Sequence, residues 1–223
     1  MRMRDWMLEL PPYTLNSDEE RAFEIARNTG DAKKLPEPVS RWVFLQRLTK
    51  QGFLLHGSNH ADIAAFEPRT PKDFSPDEFS KRTAVFASSD GVWAMMYALI
   101  SRARTKRILN MALQVHEHGS WSPMRYFLSL APRGPNVTEG RKLLQNGYVY
   151  VLPKNGFEQM PAYHWPGLGD VLEPHWATPH FVRPLMYVSV SPADFPLPVR
   201  THDAAHVDAL SQTDPWGFPW LEP

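Results

Sequence analysis

Polar and apolar positions change period along the chain, and the first fifty residues follow the helical one. Ser17 to Asn28 reads as a helix, with Ser17 as its cap, Glu20 three residues later at capping-box spacing, and Gly30 as its stop. After Leu35-Pro36-Glu37-Pro38, Ser40 caps a second helix in which Trp42, Leu45 and Leu48 share one face, and Gly52 ends it. The period then shortens. Phe53-Leu54-Leu55 is an apolar run consistent with a buried strand, and it leads directly into His56-Gly57-Ser58. A polar, Pro-containing connection, 67–82, precedes a strand over 83–87. Ser88-Ser89-Asp90 offers caps to a helix over 92–101, with Trp93, Tyr97 and Ile100 on one side. Further strand candidates are 107–115, 126–130, 147–152 and 185–190, each with β-branched or aromatic content. A short helix over 201–210 and the tail 214–223 close the chain. The tail is too rich in proline for a long helix, so its tryptophans are expected to pack back.

This mixture predicts an α+β fold in a single domain, 1–223. It divides into a helical part (1–52), a mixed core (53–200) and a terminal helix with its tail (201–223). Composition adds two constraints. The chain has 22 prolines and 8 tryptophans, and the prolines crowd the second half, which favours short strands joined by stiff loops. It has no cysteine, so disulfides, thiolate metal sites and cysteine nucleophiles are excluded. The 24 basic and 24 acidic residues balance, which lends no support to a strongly charged partner. No run approaches the roughly 18 apolar residues of a membrane span, and the first residues lack a signal-length apolar run; a cytoplasmic protein without membrane partners is the expectation.

Candidate chemistry concentrates in three segments. A histidine at the end of a buried strand can project into a cleft and meet a sugar hydroxyl. Gly57 beside it allows a flat ligand close to the backbone, and Ser58 adds a hydroxyl. Phe86 and Tyr97 supply two aromatic faces for a planar ring, with Trp93 one turn before Tyr97. Together they suit a flat, amide-bearing ring attached to a ribose. Elsewhere the signals are weaker. His116 and His118 alternate around Glu117, and His202 and His206 stand four apart; both spacings suit a metal, although each is also simply accounted for by surface histidines. His164, His175 and His180 fall in a Trp- and Pro-rich stretch suited either to covering a cleft or to packing. No Gly-x-Ser-x-Gly elbow, P-loop or Gly-x-Gly-x-x-Gly fingerprint is present.

The segments LLHGS and VFASSDGVWAMMYAL resemble the first two motifs of ADP-ribosyltransferases of the diphtheria-toxin and poly(ADP-ribose) polymerase type. The likeness covers about 45 residues, Phe53 to Leu99. It implies a split β-sheet core with N-terminal helices and Pro/Trp-rich loops. It also implies NAD as substrate and ADP-ribose transfer to a protein or nucleic-acid acceptor. Carried over, His56, Gly57 and Ser58 would bind NAD, and Phe86 and Tyr97, eleven apart, would flank the nicotinamide. The family's third motif places a glutamate at the start of a later strand, and the starts at 147–152 and 185–190 offer none. Glu139, Glu158 and Glu173 are the candidates for that role, and Gln145 is a further one. Two alternatives stand beside the transferase: a non-catalytic nucleotide-binding or interaction module of the same fold, and a metal-dependent hydrolase using the second-half histidines.

Overall fold

Helix α1 (Ser17–Thr29) begins at Asn16, one residue ahead of the expected cap. Asn16 accepts from the Asp18 and Glu19 amides, and Glu19 returns a bond to the Asn16 amide. The capping box is therefore Asn16/Glu19. Gly30, left-handed at φ 66°, stops the helix as expected. A computed structural model describes residues 4–35, 40–71, 77–135 and 137–221. Part of the connection 67–82 and the link before Ser40 lie outside the described residues.

The order continues with α2 (Arg41–Lys50), β1 (Leu54–Ser58), β2 (Val85–Ser88), α3 (Gly91–Leu99), β3 (Thr105–Glu117), β4 (Ser120–Trp121), β5 (Arg125–Pro132) and β6 (Gly147–Leu152). Then come β7 (Glu158–Gln159), β8 (Tyr163–Trp165), β9 (Gly169–Leu172), β10 (His175–Thr178), β11 (Met186–Val190), β12 (Arg200–Thr201) and α4 (Ala204–Thr213). The protein is α+β. One sheet runs β11-β6-β1-β2-β10-β7; the other runs β12-β5-β3-β9-β8, with β4 paired to β3. From β6 onward the proline-rich part forms strands of two to six residues, as its composition favours. His56, Gly57 and Ser58 lie inside β1, because all three pair with β6, at Tyr150, Val149 and Tyr148.

Helix α3 sits where the sheets meet. Its sequence is apolar all round, and eight of its nine residues are buried. The core around it draws Leu55 from β1, Val149 and Val151 from β6, Val188 from β11, and Tyr126, Leu128 and Leu130 from β5. Three glycines let it seat so deeply. A Cβ on Gly57 would collide with the Ala94 carbonyl and Ala98 amide, one on Gly147 with the Ala98 carbonyl, and one on Gly91 with Leu45 of α2. Gly57 thus turns its bare side to a helix.

Asp90 caps α3. One carboxylate oxygen accepts from the Trp93 amide at 2.8 Å; the other accepts from Gln46 Nε2 at 2.8 Å and from the Tyr126 hydroxyl at 2.6 Å. Gln46 Oε1 in turn accepts from the Gly91 amide at 3.1 Å. Burial pushes the Asp90 carboxyl above its ordinary range, while Tyr126, Gln46 and the Trp93 and Val92 amides pull it down. The network ties α2, α3 and β5 at one buried point. The far face of the second sheet is covered by the chain ends. Trp6 and Phe218 meet Phe127 at 5.6 and 5.5 Å between ring centres, and the Trp165 indole donates to the Trp216 carbonyl. The tail does pack back.

Replacing Asp90 by Ala should lower unfolding free energy by about 3 kcal/mol, since a helix cap is lost and buried donors are orphaned together. Gly147→Ala should cost a similar amount, about 3 kcal/mol, through collision with the backbone of α3. Urea unfolding followed by circular dichroism measures both; losses under 1 kcal/mol would contradict this account of the seating of α3.

Candidate functional site

Strands β1 and β2 share a single residue pair, Leu55 with Ser88, and then part. The next group along β1 fills the gap. His56 Nδ1 lies 2.7 Å from the Phe86 carbonyl. A carbonyl oxygen only accepts, so Nδ1 carries the proton, and in the neutral ring Nε2 is the acceptor. The ring's remaining nitrogen, Nε2, is therefore an acceptor rather than a donor. Phe66 covers the ring at 4.4 Å, and the Phe66–Val182 bridge holds that cover in place. Farther along the same edge of β2, Ala84 pairs with Arg69. Burial pushes the His56 imidazole below its ordinary value, and the Arg69 charge adds to this, against the bond to Phe86. Ser58 Oγ accepts from the His60 amide at 3.1 Å, and Asn59 Nδ2 donates to the Ala98 carbonyl at the end of α3.

Side chains alternate across a strand. Leu54, Val85 and Ala87 face the cluster around Phe66 and Tyr150, while Leu55, Gly57 and Phe86 face the other way. On that second face an aromatic group assembles. Phe86 touches His175 at 5.1 Å, His175 touches Trp93 at 5.3 Å, and Trp93 touches Tyr97 at 5.9 Å, with Phe79 closing on His175 at 5.3 Å. Phe86 and Tyr97 thus belong to one group, joined through His175 and Trp93. Tyr97 is the one residue of α3 that is not buried. Trp93 is 6% exposed, and its indole N–H is covered without a hydrogen-bond partner. Indole donors usually find a partner when buried, and leaving one unmet costs about 1–3 kcal/mol.

His175 and Phe79 were not tied to this site by sequence. His175 reaches it because β10 pairs with β2, placing His175 opposite Ser88. The available signal was the four-residue run His175-Trp176-Ala177-Thr178 between the breakers Pro174 and Pro179.

The three candidate glutamates are engaged. Glu139 pairs with Lys142 at 2.8 Å, beside the second sheet. Glu158 of β7 pairs with Arg82 at 2.9 Å, and Arg82 lies over the Phe79 ring. Glu173, two residues before His175, accepts from the Tyr163 hydroxyl at 2.7 Å. Gln145 donates its backbone N–H to the Leu99 carbonyl.

The histidine pairs do not converge. His116 packs on Trp121 at 5.1 Å, whereas His118 sits in the β3–β4 turn at φ 52°. His202 precedes α4, with Nδ1 2.8 Å from Ser129 Oγ, and His206 is exposed on the helix. Among the described residues no group of three or more His, Asp or Glu is arranged to hold a metal. His164 pairs with Asp170 at 2.9 Å on the rim of an open hollow of about 320 Å³, lined also by His116, Trp121 and Tyr163. No helix of the described residues is long and apolar enough to cross a membrane. No family model, curated protein or solved structure matches the chain.

Two histidines give stability a defined pH dependence. Burial, then the Arg107 charge, pushes His202 down to about 4, and burial lowers His56. For His202, the unfolded chain binds more protons than the folded one between about pH 6.5 and 4. Its contribution is whole above 6.5 and is lost as pH falls through that window. Urea midpoints at a series of pH values should decline there, and less steeply for His202→Asn. Identical declines in both proteins would contradict the assignment.

Proposed function

We propose that the chain is an ADP-ribosyltransferase-like protein that binds NAD at the parting of β1 and β2. The observation that supports the proposal is that the Phe86 and Tyr97 rings belong to one aromatic group; the His56 imidazole, held on the Phe86 carbonyl, lies with Phe66 on the opposite face of the strands. A split β-sheet core is the arrangement the sequence resemblance implies, and β1 and β2 share one residue pair before they part. In this reading the nicotinamide lies against Phe86 and Tyr97. His56 Nε2 accepts a hydrogen bond from the ribose on the adenine side. The bond between nicotinamide and its ribose breaks with the electron pair leaving on nicotinamide. An acceptor hydroxyl, amine or phosphate of a protein or nucleic acid then attacks the oxocarbenium-like carbon and gives up its proton. Transition-state stabilisation there calls for a carboxylate or an equivalent polar group.

The engagement of Glu139, Glu158 and Glu173 in other contacts favours a second reading, a non-catalytic nucleotide-binding module. Gly57 contributes its backbone edge in either case, since its side-chain direction is filled by α3.

Isothermal titration with NAD tests the binding, and chromatography of released nicotinamide tests the chemistry. Phe86→Ala is expected to weaken NAD binding about tenfold, and His56→Ala by a similar factor. Nicotinamide release abolished in Glu173→Gln or Glu158→Gln would assign the carboxylate, whereas binding without release supports the module. Absence of NAD binding by the native chain overturns the proposal.

A further inference from the structure

The aromatic group holds a donor that no acceptor among the described residues meets. Trp93 is 94% buried by its 6% exposure, and its indole N–H has no hydrogen-bond partner. It stands between His175 at 5.3 Å and Tyr97 at 5.9 Å, inside the group where a flat ring is placed by the function proposed above. An apolar residue of similar size would fill the same volume without stranding a donor. Phe is the ordinary choice in a core, and the chain has 12 of them. The indole is thus poorly explained by packing alone.

We infer that the Trp93 indole N–H is the donor that selects a planar ring carrying an exocyclic acceptor, the carboxamide oxygen of nicotinamide. The inference rests on the NAD reading and goes beyond it by naming a specificity-determining side chain. A ring with no acceptor would leave the N–H unmet and lose the difference, which is how sites discriminate against analogues that lack one polar group. The indole is covered in the ligand-free chain. Tyr97 lies edge-on to it at 5.9 Å and is the part-exposed residue of α3. The other flat end of the dinucleotide, adenine, also offers an acceptor edge, so the two ends must be told apart by experiment.

The test is a titration of the ¹⁵N-labelled full chain, reading the Trp93 indole N–H cross-peak. Three probes are used: nicotinamide, 3-methylpyridine (the same ring without the amide) and adenine. The expected result is a downfield shift of the Trp93 indole proton with nicotinamide alone. In parallel, Trp93→Phe should weaken NAD binding about tenfold while leaving thermal stability close to native. A shift of equal size with 3-methylpyridine overturns the inference, as does a shift with adenine in place of nicotinamide. If Trp93→Phe fails to fold, the resonance in the native chain still decides. NAD bound with a silent indole sinks this inference alone, whereas no NAD binding at all sinks the reading beneath it.

Discussion

A nine-residue helix is too short to hold itself together in water, so α3 persists only because its surroundings make it. Two features do this. Apolar side chains from both sheets close around it, and Asp90 meets its first turn with a buried carboxylate. The depth of seating matters as much as the apolar contact. Gly57, Gly147 and Gly91 remove three side chains that would hold the helix off the first sheet and off α2. The position of α3 in turn decides where Trp93 and Tyr97 stand relative to β2. The candidate site therefore inherits its geometry from a packing constraint.

The buried Asp90 network carries a cost as well as a benefit. Desolvation disfavours the carboxylate, and the donors arranged around it restore part of what water would have given. Three of them come from three different elements: Gln46 on α2, the Trp93 amide on α3, and the Tyr126 hydroxyl on β5. That distribution makes the contact specific to one arrangement of helices and sheet. A similar economy governs the gap beyond Leu55 and Ser88. Where β1 and β2 stop pairing, the His56 ring supplies the donor that a strand would have supplied. Its tautomer follows from that bond. So does its capacity as an acceptor for a ligand on the other nitrogen.

Much of the framework was legible along the chain. The helices at 17–29 and 41–50 follow from helical spacing, although Asn16 rather than Ser17 caps the first and Ser40 makes no side-chain cap bond to the second, and the strand 147–152 follows from its β-branched and aromatic run between breakers. Boundaries moved where a neighbour intervened. Helix α4 starts at Ala204, capped by Asp203, because Arg200 and Thr201 add to the edge of β5, and β3 runs two residues past the expected 115 because β4 pairs with its end. The strands β7 to β10 were not assigned from sequence, and only β10 carries a signal there, its run between two prolines. Each is two to four residues long, and apart from the β8–β9 hairpin their places are set by strands farther away along the chain, β10 by β2 and β9 by β3.

The sequence by itself determined which local conformations are available and which side chains carry usable chemistry: a histidine in a strand, capped helices, rings eleven residues apart. Only the tertiary structure decided their mutual placement. It put His175 between Phe86 and Trp93, turned the bare side of Gly57 toward a helix, and separated His202 from His206. The physical reason is that local preference acts over a few bonds. Strand pairing and the closing of a core around α3 depend instead on contacts between distant segments, and these leave no periodic trace in any one of them.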